Sequence, residues 1–263
     1  MKKKVLATVL SFVLFSFWSI QLVASTPSEK GLQIATQMRD SNEGIIGEES
    51  EMEMILIDAF GTKVSRKMRG KSKEMPNDGD KSLSEFLTPA DVKGTKLLTH
   101  SHKEDEDDQW LYLPSLKRKK RISGGSKSSS FMGSEFSYED LGSQEIEKYN
   151  FLWIKDENIE GEDVWVLERK SKKRSGYSKQ VMYVSKRYLA PVKVEYFDRR
   201  QELLKTAVFS DWSQTKVKKK NFWRSAKVHM KNHQTKKESI FSWSKRNFGV
   251  NHSDQVFAPG RLR

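Results

Sequence analysis

Beyond Gly47 the sequence settles into a period of two and keeps it for most of its length. Met52, Met54 and Leu56 alternate with Glu51, Glu53 and Ile55; a Phe60-Gly61 turn follows, and 62–68 returns as an antiparallel partner. Comparable runs recur at 83–88, 96–100, 109–113, 118–122, 151–155, 163–168, 179–185 and 191–197, and again at 203–212, 223–231 and 239–243. Turn signals separate them at Asp78-Gly79, Glu160-Gly161, Ser185-Lys186 and Asp198-Arg199. Successive side chains of a strand point to opposite faces, so this alternation gives each strand one face toward water and one toward something apolar. Many short strands at even spacing predict an antiparallel sheet that curls into an open or partial barrel, a mainly β (α+β) fold. A helix precedes them: Pro27 suits a first turn, Leu32, Ile34, Ala35 and Met38 form an apolar stripe, and Asn42 and Gly44 end it.

Ahead of that helix, Lys2, Lys3 and Lys4 flank an apolar run over 5–23, and Val23-Ala24-Ser25 offers a small-residue cleavage site. Residues 1–25 therefore read as a cleavable signal peptide and 26–263 as one domain. An uncleaved anchor is the alternative, because the run approaches the roughly 20 residues that span a bilayer. The chain has no cysteine. It can form no disulfide, and no lipid-modified N-terminal Cys can anchor it, so the expectation is a periplasmic, unlipidated protein whose core alone supplies stability. The formal charge is +13, or +10 without the three signal-peptide lysines. Such a balance favours acidic partners, and export points to anionic lipid headgroups or acidic protein faces, with no nucleic acid expected.

Catalytic signatures are missing. No G-x-S-x-G elbow presents a serine nucleophile, thiol chemistry is excluded, and Gly124-Gly125-Ser126-Lys127 lacks the spacing of a phosphate-binding loop. Glu51 with Glu53 and Glu139 with Asp140 read as solvated or capping carboxylates rather than as an acid/base pair. His100 and His102 beside the acidic run 104–108 share a strand face, but no third ligand stands at a recognisable spacing. The expectation is a non-enzyme without metal or cofactor.

The stretch from Asp108 to Leu141 carries a signature. In it WLYLPSLKR, RIS and SFMGSEFSYEDL occur in that order. The sequence resembles the outer-membrane lipoprotein-sorting (LolA/LolB-like) proteins, in the branch associated with RND-type export transporters. The similarity continues through 149–168, 177–204, the FSDW of 209–212, 230–235 and 254–262. It implies an unclosed antiparallel barrel with a short helical lid over an apolar cavity. The lid pieces would be the helix of 28–40, the Thr88-Pro89-Ala90-Asp91 turn, which starts like a capped helix, and 131–141.

By that resemblance the protein is a periplasmic carrier or chaperone for the acyl chains of a lipoprotein or lipid; the alternative is a non-enzymatic accessory protein of an RND-type transporter. An outer-membrane receptor would be a further partner, and the protein would be a monomer. Trp110, Tyr112, Phe131, Met132, Phe136 and Tyr138 are the candidates to line or gate the cavity, with ordinary core packing as the competing role. Trp110 and Tyr112 share one strand face and Leu111 and Leu113 the other, so only one pair can face the cavity. Lys117, Arg118, Lys119, Lys120 and Arg121 are candidates for contact with an anionic membrane or an acidic partner, or else a solvated rim. No residue aligns with the cavity-mouth Arg that gates better-known carriers, so no gating residue is transferred.

Overall fold

A computed structural model describes residues 25–263. The expected signal peptide lies outside the described residues, apart from Ser25. Thirteen strands follow one α-helix: α1 (Pro27–Asn42), β1 (Gly47–Ile57), β2 (Lys63–Lys73), β3 (Lys81–Phe86), β4 (Lys96–His100), β5 (Asp108–Leu113) and β6 (Arg118–Ile122). The second half holds β7 (Tyr149–Ile159), β8 (Glu162–Ser171), β9 (Lys179–Ser185), β10 (Ala190–Phe197), β11 (Leu203–Val217), β12 (Lys220–Asn232) and β13 (Glu238–Phe248). All thirteen period-two runs are strands, and several extend further than the alternation shows. β11 and β12 continue to a tight turn after Val217, where lysines replace apolar residues but the backbone ladder goes on.

The strands form a single antiparallel sheet in the order β6-β5-β4-β3-β2-β1-β13-β12-β11-β10-β9-β8-β7. Every neighbour is joined by a hairpin except β1 and β13, which bring the two halves of the chain together with Met54 opposite Phe241. Thirteen strands with the usual twist curl strongly. The sheet nonetheless stays open, with β6 and β7 as free edges, so it is a half-barrel and not a closed one.

One face of the curl carries the main core, including Met54, Met68, Phe86, Met182, Ala207 and Met230. α1 packs along β7. Thr26 and Glu29 form a reciprocal capping box at its start, and Gly31 allows the close approach, since a Cβ there would stand 2.9 Å from the backbone nitrogen of Trp153. The segment between β6 and β7 does not skirt the sheet but is buried against its inner face. Phe131 N–H donates to Phe136 O at 2.7 Å, closing a tight loop that places Phe131 5.7 Å from Phe86 and Phe136 5.0 Å from Phe241, ring centroid to centroid.

The opposite face carries two smaller clusters. Over β3 to β5 the C-terminal residues Val256, Phe257 and Leu262 pack on Leu83, Leu98, Trp110 and Tyr112, and over β8 to β10 Val164, Val166 and Val181 are buried together with Tyr183 and Phe197. Among the described residues no helix is long and apolar enough to cross a membrane. The expected 88–91 turn joins β3 to β4, and its helix-like start amounts to one bond of α-helical spacing, Lys93 N–H to Pro89 O at 3.0 Å. The chain has to reverse there to pair Glu85 with Lys96, and Gly94 (φ 78°) completes the reversal, which leaves no length for a helix.

Candidate functional site

Two adjoining cavities open inside the curl. The larger, of about 910 Å³, lies between α1, β7 to β10 and the 139–146 segment. Met38, Phe151, Met182 and Val194 form its apolar wall. The smaller, of about 330 Å³, lies over β1, β2 and β11 to β13 and is walled by Met52, Phe136, Met230, Phe241 and Trp243. Asp140, Tyr196 and Phe209 line both, so these three side chains stand at the junction. The larger volume falls at the upper end of the roughly 300–1,000 Å³ typical of small-molecule sites.

These walls follow from strand register. On β11 the inward positions are Lys205, Ala207 and Phe209, and on β10 they are Val194 and Tyr196. A lysine in an otherwise apolar inward register is the one sequence signal that could have located the junction. Its ammonium lies 2.6 Å from Asp140 Oδ2, with both side chains 4% exposed. Lys205 Nζ also donates to Glu135 O at 2.8 Å, Ser137 N–H donates to Asp140 Oδ2 at 2.7 Å, and Tyr177 O–H donates to Asp140 Oδ1 at 2.8 Å. The ammonium is 5.2 Å from the ring centroids of both Tyr177 and Tyr196. Burial, reinforced by the Asp140 carboxylate, holds both phenols well above their usual range. Of the reading of Glu139 and Asp140 as solvated or capping groups, the solvated alternative is corrected and the capping one holds for Asp140, which exchanges hydrogen bonds with Ser137 as in a capping box. Asp140 is also the buried counter-ion of Lys205, and Glu139 accepts hydrogen bonds from Ser175 and from Gly176 N–H.

Deeper along the large cavity Arg169 is buried, its Nε donating to Gln180 Oε1 at 2.6 Å and its Nη2 to Gln144 Oε1 at 2.5 Å, with the guanidinium over the Tyr149 ring. At the mouth the balance turns acidic. Asp80 accepts the Met75 N–H, and the protein crowded around its carboxyl, with Glu145 and Glu74 nearby, raises it to about 6 even though the residue keeps accessible surface. Desolvation raises Glu145 and Glu139 as well.

The six aromatic and Met candidates separate into three groups. Trp110 and Tyr112 sit on the outer face beneath the C-terminal segment and line neither cavity, while Leu111 takes the inner face. Phe131 and Tyr138 are buried against each other at 5.6 Å in the main core, and Met132 packs beside them with its carbonyl accepting from Arg66. Phe136 lines the smaller cavity. In the basic run, Arg118 to Arg121 are exposed on edge strand β6. Lys119 Nζ donates to Pro259 O, Arg121 pairs with Asp108, and Arg118 and Lys120 have no partner among the described residues. His100 and His102 point to different neighbours, Phe257 O and Asp78 respectively.

The fold is an open antiparallel half-barrel with one helix and two adjoining cavities on its inner face, the architecture of the LolA-like fold. A solved structure described as an outer membrane lipoprotein-sorting protein domain, from Vibrio parahaemolyticus, is 47% identical, with 89% of this chain and 99% of that one covered and a TM-score of 0.86. A DUF1329-family protein from Desulfovibrio piger is 31% identical over 91% of this chain and 100% of its own, with a TM-score of 0.84. A LolA superfamily protein from Nitrosomonas europaea, 19% identical over 90% of this chain and 99% of its own, shares the fold with a TM-score of 0.69. A family profile described as "Uncharacterized protein" matches residues 78–263, and no curated protein matches the chain. The chain belongs to the family of the outer-membrane lipoprotein-sorting domain and the DUF1329 protein, and it has the LolA-like fold.

Proposed function

We propose that this protein is a periplasmic carrier, not an enzyme, that shields the acyl chains of a lipoprotein or lipid from water during transfer between envelope membranes. The observation that carries this reading is the pair of joined apolar cavities on the inner face of an open sheet. Burying each CH₂ stabilises by about 0.8 kcal/mol, so a cavity that takes most of an acyl chain offsets a large part of its extraction from a bilayer. Access is built into the topology, because a half-barrel with two free edges leaves its interior open on one side. Residues 26–263 act as the carrier domain, Phe136 as part of its lining, and the basic β6 edge as its contact with an anionic membrane or acidic partner.

Mass spectrometry of an organic extract tests the proposal. The protein is purified from its native periplasm without detergent beside a Met182→Trp, Ala207→Trp variant that fills both chambers. A lipid present in stoichiometric amount and lost in the folded variant is the expected result. Equal extracts from the two proteins, with no enriched lipid, would overturn it and favour the accessory-protein alternative.

A further inference from the structure

The wall of the larger cavity is apolar but its mouth is charged, and the sign of that charge opposes the charge of the whole chain. Eight carboxylates and four cations contribute to the lining. The four cations keep their charge but are held in place: Arg39 pairs with Asp40, itself a lining carboxylate, at 2.9 Å, Lys220 donates to the backbone carbonyls of Asp40 and Glu43, Arg169 is held by Gln180 and Gln144, and Lys103 donates to Pro76 O. Arg224, which also reaches the field of Asp80 and Glu74, turns its Nη1 to Asn42 and to Trp223 O. On the acidic side, Asp140 is neutralised by Lys205. Glu74 receives only the backbone N–H groups of Gly44 and Ile46, and Asp80 only that of Met75. With Lys205 and Arg224 counted beside the four lining cations, the eight carboxylates leave a formal charge of −2. Glu74, Asp80 and Glu145, which have no side-chain cation bonded to them among the described residues, place it at the rim of the chamber.

We propose that the larger cavity selects its amphiphile by headgroup, taking a cationic head in preference to an uncharged one and disfavouring an anionic head. The inference rests on the carrier reading and narrows its ligand class. A tail buried against Met182 and Val194 places its head among Glu74, Asp80 and Glu145, where the partly enclosed site screens charge less than bulk water does. At about 0.1 M salt the Debye length is about 10 Å, so the lysines spread over the outer surface act weakly on a head in the chamber, while Glu74, Asp80 and Glu145 act at contact range, where screening is only partial. The basic exterior and the acidic mouth then have separate roles: the first meets anionic bilayers, and the second keeps anionic headgroups out of the chamber.

The test is calorimetric titration with three amphiphiles sharing a dodecyl tail, used below their micelle concentrations at about pH 8 and about 0.1 M salt. The heads are trimethylammonium, maltoside and phosphate. The expected result is a cation bound about tenfold more tightly than the phosphate, the maltoside between them, and a preference that shrinks as salt is raised. In an Asp80→Asn, Glu145→Gln variant the cation and phosphate should bind within about twofold of one another, with saturable maltoside binding as the sign of an intact chamber. Equal binding of all three by the wild-type protein, or tighter phosphate binding, would overturn the selectivity and leave the carrier reading standing. An unchanged preference in the variant would overturn the role given to these carboxylates. Saturable binding of none would overturn both the selectivity and the carrier reading. The wild-type ratio and its salt dependence decide the matter if the variant fails to fold.

Discussion

Lys205 of β11 and Asp140 of the inter-strand segment form a buried ion pair, 2.6 Å apart and 4% exposed on each side, at the point where the two cavities meet. The pair fastens a segment with little regular structure to the inner face of the sheet. Removing one member of a buried pair leaves the other charged and unpaired, which costs about 3–5 kcal/mol. Lys205→Met is expected to lose that much stability in urea unfolding. Lys205→Met combined with Asp140→Asn should recover a large part of it, since no isolated charge remains.

Gly31 sets the distance between α1 and β7. Alanine is the better helix former by about 0.5–1 kcal/mol, yet its Cβ would lie 2.9 Å from Trp153 N and 3.0 Å from Leu152 N. Neither backbone atom can move without disturbing the β7–β8 ladder. Gly31→Ala should therefore destabilise by about 1–3 kcal/mol and speed proteolysis within 27–42. A rise in melting temperature would show that the helix can move away freely.

Two aromatic truncations should separate stability from binding. Phe136 lines the smaller cavity and packs on Phe241, so Phe136→Ala should cost about 3–5 kcal/mol and alter the uptake of a fluorescent apolar probe. Trp110 lies beneath the C-terminal segment, edge-on to His100 at 5.0 Å. Trp110→Ala should loosen that segment, read by hydrogen exchange over 254–263, and leave probe uptake unchanged.

The pH dependence follows from Asp80, whose carboxyl is raised to about 6 by desolvation and by Glu145 and Glu74. The folded state holds this proton more tightly than the unfolded state does. Its contribution to stability is thus fully present below the ordinary Asp value and is lost as pH rises through about 6. Glu139 and Glu145, both raised, act in the same direction. Asp80→Asn should flatten the fall in unfolding free energy between about pH 4 and 6, measured by urea midpoints.

Charge reversal at the free edge tests the exterior. Arg118→Glu with Lys120→Glu removes two exposed cations that have no partner among the described residues. Each basic residue near an anionic bilayer is worth about 1 kcal/mol. Co-sedimentation with phosphatidylserine vesicles should fall about tenfold or more, and high salt should abolish it for both proteins.

The strands, the helix and the open sheet were legible because alternation and turn residues are local properties of the chain, visible in Met52, Met54 and Leu56 as readily as in the sheet they join. The site was much less legible. Phe136 and Trp110 belong to one aromatic-rich stretch of sequence, yet one faces a cavity and the other lies under the C-terminus, because strand register and the path of the β6–β7 segment decide which side of the sheet each meets. Asp140 resembles a solvated helix cap until Lys205, 65 residues later, is folded against it.

By itself the sequence determined the class of fold and the absence of any disulfide, since periodicity and composition need no knowledge of distant contacts. The tertiary structure alone decided where the cavities lie, which side chains line them, and that a basic chain carries an acidic cavity mouth. Those features arise from long-range pairing and from the curvature of a thirteen-stranded sheet, which bring together residues that no local pattern connects.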